Sequence, residues 1–107
     1  MYLDLEFPVT STSAINADHG YHLYAGLSQA LSTAHSENGI GVHPIRGRQI
    51  GNRMLELMPW SGIRIRTPQE KVGDLIALSG QSISVGPHKI RLGVPNLHAL
   101  GVQDMEM

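Results

Sequence analysis

The sequence of 107 residues contains no cysteine, and this absence excludes two classes of protein. Secreted domains that are stabilised by disulfides need cysteine, and so do zinc sites with thiolate ligands. The sequence also lacks an apolar run near the roughly 18 to 20 residues that a membrane helix requires. Its N-terminal stretch, MYLDLEFPVT, carries acids where a signal peptide carries basic residues. We therefore expect a cytoplasmic protein that does not span a membrane.

Aromatic and charged residues are also scarce, at 5% and 16% of the chain. A sheet that reads RNA by base stacking needs aromatic side chains on its central strands, whereas the one tryptophan, Trp60, lies in a predicted turn. The net charge is −1, but all eight basic residues lie within residues 46–91, where the net charge is +5. A basic middle between acidic ends favours phosphate contacts, although uneven surface charge alone is an equal alternative.

The first half of the chain predicts a strand, a long helix and a second strand. Residues 2–7 alternate apolar and acidic side chains, the period of a half-buried strand that Pro8 should end. Asp18 is placed to cap a helix that ends at Gly39, and residues 39–46 predict the second strand. The apolar stripe of the helix consists of Leu23, Leu27, Ala30, Leu31 and Ala34.

Four further strands are predicted over residues 53–58, 62–67, 81–85 and 88–94. The last two form a hairpin that turns at a Gly-Pro pair. In the second of the four, Arg64 and Arg66 alternate with isoleucines, so that two guanidinium groups share one face of the sheet. Residues 48–52 predict a loop, and no period is evident from Pro95 onward.

A second helix is predicted between these strands. Thr67 would cap it, Pro68 would take the first helical position, Glu70 would complete the capping pattern, and Gly80 would end it. The resulting order is βαββαβ with an extra β-hairpin. We expect an α+β, ferredoxin-like fold in a single domain over residues 1–107, with two helices on one face of an antiparallel sheet. The other face is then open to a ligand or a partner.

The stretch GIGVHPIRG at residues 39–47 presents His43, Pro44 and Arg46 together. An imidazole beside a guanidinium at the end of a strand is suited to binding a phosphate. Arg46 and Arg48 stand among small residues, which let a phosphate approach the backbone closely. The alternatives are a solvated loop and a structural, hydrogen-bonded His43.

Five stretches of the sequence point to a known family, and in chain order they are LDLEFPV, DHGYHLYAGLS, IGVHPIRG, GNRMLEL and HKIRLGVP. In these stretches the chain resembles the N-terminal domain of the CRISPR repeat-processing endoribonucleases, members of the RAMP superfamily, and in particular their Myxan-subtype branch. The stretches are collinear over nearly the whole chain. The pairing of HPIRG with DHGY is the most specific part, because the fold alone supports many functions.

The resemblance implies cleavage of a CRISPR precursor transcript within each repeat, without a metal or another cofactor, to give guide RNAs. The 2′-hydroxyl beside the scissile phosphate attacks that phosphate and leaves a 2′,3′-cyclic phosphate. Such a reaction needs a base, an acid and positive charge at the transition state, which histidine, tyrosine, lysine and arginine can supply. The implied partner is CRISPR repeat RNA, as a stem-loop or a single strand.

Members of this family usually continue into a second ferredoxin-like domain, whereas this sequence stops at Met107. We therefore expect either a fragment or a natural short form that takes the second domain from another chain. A homodimer and a place in a CRISPR effector complex are further expected arrangements.

Three residues are the catalytic candidates. His35 lies on the predicted last turn of the first helix, where the resemblance implies an acid or base, although it could merely complement the helix dipole. Tyr21 and His19 belong to DHGY, where the start of a helix attracts an anion. The alternative for this pair is a surface His19 and a Tyr21 packed on the sheet. The RNA-binding candidates are His43, Arg46, Arg48, Arg53, Arg64 and Arg66.

Six histidines invite a metal hypothesis. His19 and His22 are the only pair with ligand-like spacing, and no matching pair follows, so we expect no metal site. Two other classes of function stay open. A non-catalytic RNA-binding or assembly subunit of a CRISPR ribonucleoprotein would bind repeat RNA without cleaving it. A protein-interaction module would use the open sheet face and show no salt-dependent RNA affinity.

Overall fold

The computed structural model describes residues 2–11, 13–30 and 41–99. Within these ranges the chain forms two short α-helices, α1 (Gly20–Ala30) and α2 (Val72–Ile76), with a 3-10 turn at Gln69–Lys71 before α2. The strands of the described residues are β1 (Tyr2–Thr10), β2 (Ile15–Asn16), β3 (Gly41–Val42), β4 (Arg48–Gln49), β5 (Met54–Glu56), β6 (Gly62–Pro68), β7 (Ser82–Val85), β8 (His88–Leu92) and β9 (Asn96–Ala99). The predicted α+β class is confirmed.

Strand β1 is the centre of the main antiparallel sheet. It pairs with β6 from Tyr2 to Pro8, with β9 on its other side from Leu3 to Glu6, and with β8 through Val9 and Thr10. The spatial order is β3-β6-β1-β8-β7, which is compatible with the predicted ferredoxin-like arrangement. Strands β2, β5 and β4 form a separate small sheet.

The core lies on one face of this sheet. Leu5 and Phe7 of β1 and Ile63 and Ile65 of β6 are almost completely buried, because alternate residues of a strand point to the same face. The helices add Leu23, Leu27 and Leu75 to the same core. Both helices therefore contribute to this core, and α1 lies close to β7.

Two predicted element boundaries are wrong because prolines did not end the strands. β1 continues through Pro8, the position at which its pairing with β6 ends and its pairing with β8 begins. The Pro8 carbonyl accepts a hydrogen bond from the Gly93 N–H at 2.8 Å. β6 continues through Pro68, so Thr67 is a buried strand residue and not a helix cap. The Thr67 hydroxyl donates to the Pro68 carbonyl at 3.2 Å. Proline is tolerated where ladder pairing changes or ends.

The predicted cap of the first helix is also wrong. The carbonyl of His19 accepts the first helical hydrogen bond, from the Leu23 N–H at 2.8 Å, so His19 occupies the cap position. The side chain of Asp18 makes no hydrogen bond to any residue that the structure describes. The predicted continuation of this helix to Gly39 lies outside the described residues.

The short strands were poorly predicted. The predicted loop at 48–52 contains β4, and β9 forms after Pro95, where no period was evident. Of the predicted strand at 39–46, the described part forms only the two-residue β3, and β5 pairs with β2 and β4. The β7–β8 hairpin is confirmed, with Gly86 in its turn at a φ of 63° that favours glycine.

Candidate functional site

A cleft of about 330 Å³ lies where the segment after β3 meets the start of β6. It is lined by Glu6, His43, Pro44, Arg46, Trp60, Gly62 and Arg64. Three of the predicted RNA-binding residues, His43, Arg46 and Arg64, therefore share one surface. We call this surface the main cleft.

The HPIRG segment that carries His43 and Arg46 is held at three points. The His43 N–H donates to the Arg64 carbonyl at 3.0 Å, which ties the segment to β6. Ile45 is buried, and its N–H donates to Nε2 of His19 at 2.8 Å. Gly47 lies so close to the Glu56 carbonyl that a β-carbon would approach its oxygen to 2.6 Å. These contacts direct Ile45 into the core and leave His43 and Arg46 exposed.

His19 is 2% exposed, and both of its ring nitrogens are used. Nε2 accepts from the Ile45 N–H, so Nδ1 carries the proton and donates to the Asn16 carbonyl at 2.9 Å. The alternative of a surface His19 is therefore wrong. Because neither nitrogen is available to a substrate in this arrangement, the geometry favours a positioning role for His19 over direct proton transfer.

The sheet face opposite the core carries a network of ion pairs. Asp4 is fully buried and accepts hydrogen bonds from Nε of Arg66 at 3.0 Å and from Nη1 of Arg64 at 3.3 Å. Arg64 also donates to Oε1 of Glu6 at 3.1 Å, and His98 lies 3.6 Å from the same oxygen. The two predicted guanidinium groups do share a face, but their charge is largely balanced by β1.

Burial alone would raise the pKa of the Asp4 carboxyl. The hydrogen bond from Arg66 and the positive charges of Arg66, Arg64 and His43 outweigh that effect and lower this pKa below its ordinary value. Asp4 is therefore a buried carboxylate, and its charge is compensated by the arginines of β6. The predicted open face is thus a polar, internally paired surface around Asp4.

The predicted RNA-binding arginines differ in their partners. Arg46 is exposed and makes no ion pair with any residue in the described ranges. Arg48 is paired with Glu56 at 2.6 Å, and both side chains are exposed. Arg53 lines a different cleft, as Asp18 does, and has a left-handed φ of 58°. Arg46 is therefore the arginine of the main cleft best placed to meet an added anion.

Tyr21 stands at the start of α1 with 81% of its surface exposed. Its ring meets the ring of His22 edge to face, with 5.6 Å between the centroids. The alternative in which Tyr21 packs on the sheet is therefore wrong. His35, the first catalytic candidate, lies outside the described residues.

The described part of the chain contains no cluster of three or more histidine, aspartate or glutamate side chains arranged to hold a metal ion. It also contains no helix that is long and apolar enough to cross a membrane.

Comparison with known proteins identifies the family to which the chain belongs. The family model described as Cas6 Crispr matches residues 3–105, nearly the whole chain. The chain belongs to the Cas6 family. The CRISPR-associated endonuclease Cas6 of Myxococcus xanthus (strain DK1622) is 33% identical to it over 100 residues. That alignment covers 94% of this chain and 43% of the relative, so the chain spans less than half the length of this Cas6 protein. The resemblance read from the sequence is confirmed.

Sequence reasoning missed two features of this Cas6-family chain. Trp60 lines the main cleft, and the available signal was a single tryptophan placed in a polar turn between strands. The pairing of β1 carboxylates with β6 arginines was also missed. Its signal was the matching alternation of Asp4 and Glu6 with Arg64 and Arg66, since opposite charges on paired strands attract.

Proposed function

We propose that this chain binds CRISPR repeat RNA and cleaves it within the repeat, as a Cas6-type endoribonuclease acting in the cytoplasm. The observation that carries this proposal is the main cleft, in which His43, Arg46 and Arg64 meet on a chain of the Cas6 family. We also infer that the fold is ferredoxin-like in detail, which the sheet order β3-β6-β1-β8 supports.

In this proposal the RNA backbone enters the main cleft. Arg46 donates to a phosphate oxygen because its guanidinium is exposed and has no carboxylate partner among the described residues. His43, also exposed, adds a second donor beside it. Arg64 contributes less charge, since it already bonds Asp4 and Glu6. Arg48, Arg53 and Arg66 are proposed as outlying contacts to the RNA backbone.

The proposed reaction is a transesterification. The 2′-oxygen forms a bond to the adjacent phosphorus, the bond from phosphorus to the 5′-oxygen breaks, and a 2′,3′-cyclic phosphate results. A base takes the proton of the 2′-hydroxyl and an acid gives a proton to the departing 5′-oxygen. We assign one of these two proton transfers to His35, as the base or as the acid, and place the exposed Tyr21 hydroxyl at the nucleophile. Arginine charge stabilises the transition state, and no step is assigned to a metal.

His19 enters the proposal as a positioning residue. Its imidazole joins the loop before α1 to Ile45, so it fixes the start of the helix that carries Tyr21 relative to the segment that carries Arg46. A direct role for His19 in proton transfer would require one of these two hydrogen bonds to break. The two roles predict different properties for variants of His19.

Cleavage of labelled repeat RNA in the presence of EDTA tests the site assignment. We expect His35→Ala combined with Tyr21→Phe to slow cleavage by at least about 100-fold, the usual contribution of acid–base groups, with little change in RNA affinity. Tyr24→Phe is the matched control, because Tyr24 is another exposed tyrosine of α1 and has no assigned role. Unchanged cleavage by the double variant would contradict the assignment.

The same experiment separates the other classes of function. Binding of repeat RNA by the unaltered chain without any cleavage would support a non-catalytic RNA-binding or assembly subunit. Absence of salt-dependent RNA binding would support a protein-interaction module. A homodimer, a chain that supplies a second domain and a CRISPR effector complex are proposed partners, and light scattering with and without RNA would reveal the first of them.

A further inference from the structure

Trp60 is the only tryptophan of the chain, and 57% of its surface is exposed. It lies in the turn that leads into β6. This turn is closed by two hydrogen bonds, from the Ser61 N–H to the Met58 carbonyl at 2.9 Å and from the Met58 N–H to Oγ of Ser61 at 2.8 Å. Ser61 is buried, and its carbonyl accepts the Val9 N–H at 3.3 Å. An ordered turn therefore presents a large indole that the core does not use.

The indole of Trp60 also borders two clefts at once. One is the main cleft, and the other is a neighbouring cleft of about 490 Å³ lined by Ile45, Arg46, Gly47, Gln49, Leu55 and Trp60. Among the described residues, Arg46 and Trp60 are the two that line both clefts. Trp60, which is exposed, and Arg46, which has no ion-pair partner among the described residues, thus lie between the two clefts.

We propose that Trp60 stacks against an unpaired base of the bound RNA while Arg46 holds an adjacent phosphate. This inference rests on the proposed function and adds the contact to a base, which the arginines alone do not provide. A flat aromatic face next to a cationic groove is the combination that binds single-stranded nucleic acid, since every base has a face that stacks. A base within a duplex is already stacked, so the nucleotide at Trp60 is unpaired.

The chemistry of the main cleft favours RNA over a protein partner at this place. His43, Arg46 and Arg64 line it, and Glu6 is the one acid among the described residues that line it. Glu6 is itself bonded to Arg64. A cationic cleft with one large ring fits a nucleotide, which has both a planar base and an anion, better than it fits an apolar peptide.

Intrinsic fluorescence gives a direct test, because all tryptophan emission of the chain comes from Trp60. Repeat RNA is titrated into the unaltered chain while the emission is recorded, and affinities are then measured for Trp60→Ala and Trp60→Phe. We expect RNA to quench the emission, Trp60→Ala to weaken binding by roughly 5- to 150-fold, and Trp60→Phe to recover most of the loss. Tyr24→Ala is the control for the general effect of removing an exposed aromatic side chain, because Tyr24 is an exposed residue of α1.

Repeat RNAs that lack one base at a time identify the stacked nucleotide. At one position the missing base and Trp60→Ala should weaken binding no more together than either does alone, and elsewhere their effects should add. Normal binding by Trp60→Ala, with RNA bound by the unaltered chain, would overturn the stacking inference and leave the proposed function intact. Failure of the unaltered chain to bind any repeat RNA would overturn both.

Discussion

Nε2 of His19 accepts a hydrogen bond from the backbone N–H of Ile45, 26 residues further along the chain, at 2.8 Å. The opposite ring nitrogen donates to the Asn16 carbonyl. A single buried imidazole thereby connects the loop before α1 with the HPIRG segment. In the proposed function this connection sets the placement of the start of α1, which carries Tyr21, relative to the segment that carries Arg46, so we propose His19 as the positioning residue of the site.

Replacement of His19 by alanine should destabilise the fold. The Ile45 N–H would be left buried without an acceptor, which costs roughly 1–3 kcal/mol of unfolding free energy. Urea denaturation followed by circular dichroism measures this loss. His22→Ala is the matched control, because His22 is an exposed histidine of the same helix and its removal should change stability by less than about 0.5 kcal/mol.

Stability and activity together separate the two roles of His19. If His19 positions the site, glutamine at this position should restore part of the stability and of the cleavage rate, since its amide can also donate and accept. A His19→Ala variant with normal stability and no cleavage would instead indicate a catalytic histidine.

Asp4→Asn should remove a pH-dependent part of the stability. The lowered pKa of Asp4 means that its charged form is favoured by folding, so its contribution is complete above the ordinary aspartate pKa and is lost as the pH falls through the lower, folded-state value. We expect the variant to lose roughly 1.5–3 kcal/mol at pH 7, and we expect its difference from the unaltered chain to shrink as the pH falls below the ordinary aspartate pKa.

Denaturation curves at several pH values measure this effect of Asp4. Asp74→Asn is the control, because Asp74 is an exposed acid of α2. If Asp4→Asn lowers the free energy of unfolding equally at neutral and acid pH, the contribution of Asp4 to stability comes from its packing and not from its charge.

Arg46→Ala should weaken RNA binding without affecting stability. Each lost phosphate contact lowers the slope of log affinity against log salt concentration by about 0.7 for single-stranded RNA. Fluorescence anisotropy of labelled repeat RNA at several salt concentrations measures affinity and slope together. Arg91→Ala, an exposed arginine of β8 outside the main cleft, should have the smaller effect. An unchanged salt slope in Arg46→Ala would place the phosphate elsewhere.

Gly26→Ala should destabilise the chain, although alanine normally stabilises a helix by about 1 kcal/mol relative to glycine. At Gly26 a β-carbon would overlap the Ser84 carbonyl oxygen of β7, so α1 would have to move from the sheet. At Gly20, in the same helix, nothing lies within 4 Å of such a carbon. Thermal unfolding should therefore show a lower midpoint for Gly26→Ala and an equal or higher one for Gly20→Ala. The same shift in both would contradict the close packing of α1 on β7.

Local sequence patterns predicted the long elements well. The alternation of β1 and of β6, and the turn of the β7–β8 hairpin, are properties of a few consecutive residues and could be read directly. The short strands could not, because their pairing depends on partners distant in the chain. β9, for example, pairs with Leu3 to Glu6 of β1, near the opposite end of the described chain.

The candidate site also divides into features that neighbouring residues predict and features that depend on contacts between distant parts of the chain. The HPIRG motif placed His43 and Arg46 on one cleft, as the structure does. The balance of charge around Arg64 could not be predicted without knowing the register of β1 against β6, which places Glu6 opposite Arg64. The position of His19 needed its contact with Ile45, which no periodicity of the sequence reveals.

Cleavage of a repeat RNA with and without the reacting hydroxyl tests the central claim most directly. The cleaved bond is first mapped on an all-ribose repeat in EDTA, and the same repeat is then made with one 2′-deoxy nucleotide on the 5′ side of that bond. The proposed transesterification predicts cleavage of the first RNA to a 2′,3′-cyclic phosphate and no cleavage of the second at that bond, with equal binding of both. Cleavage of both RNAs at that bond, or binding of the first without cleavage, would contradict it.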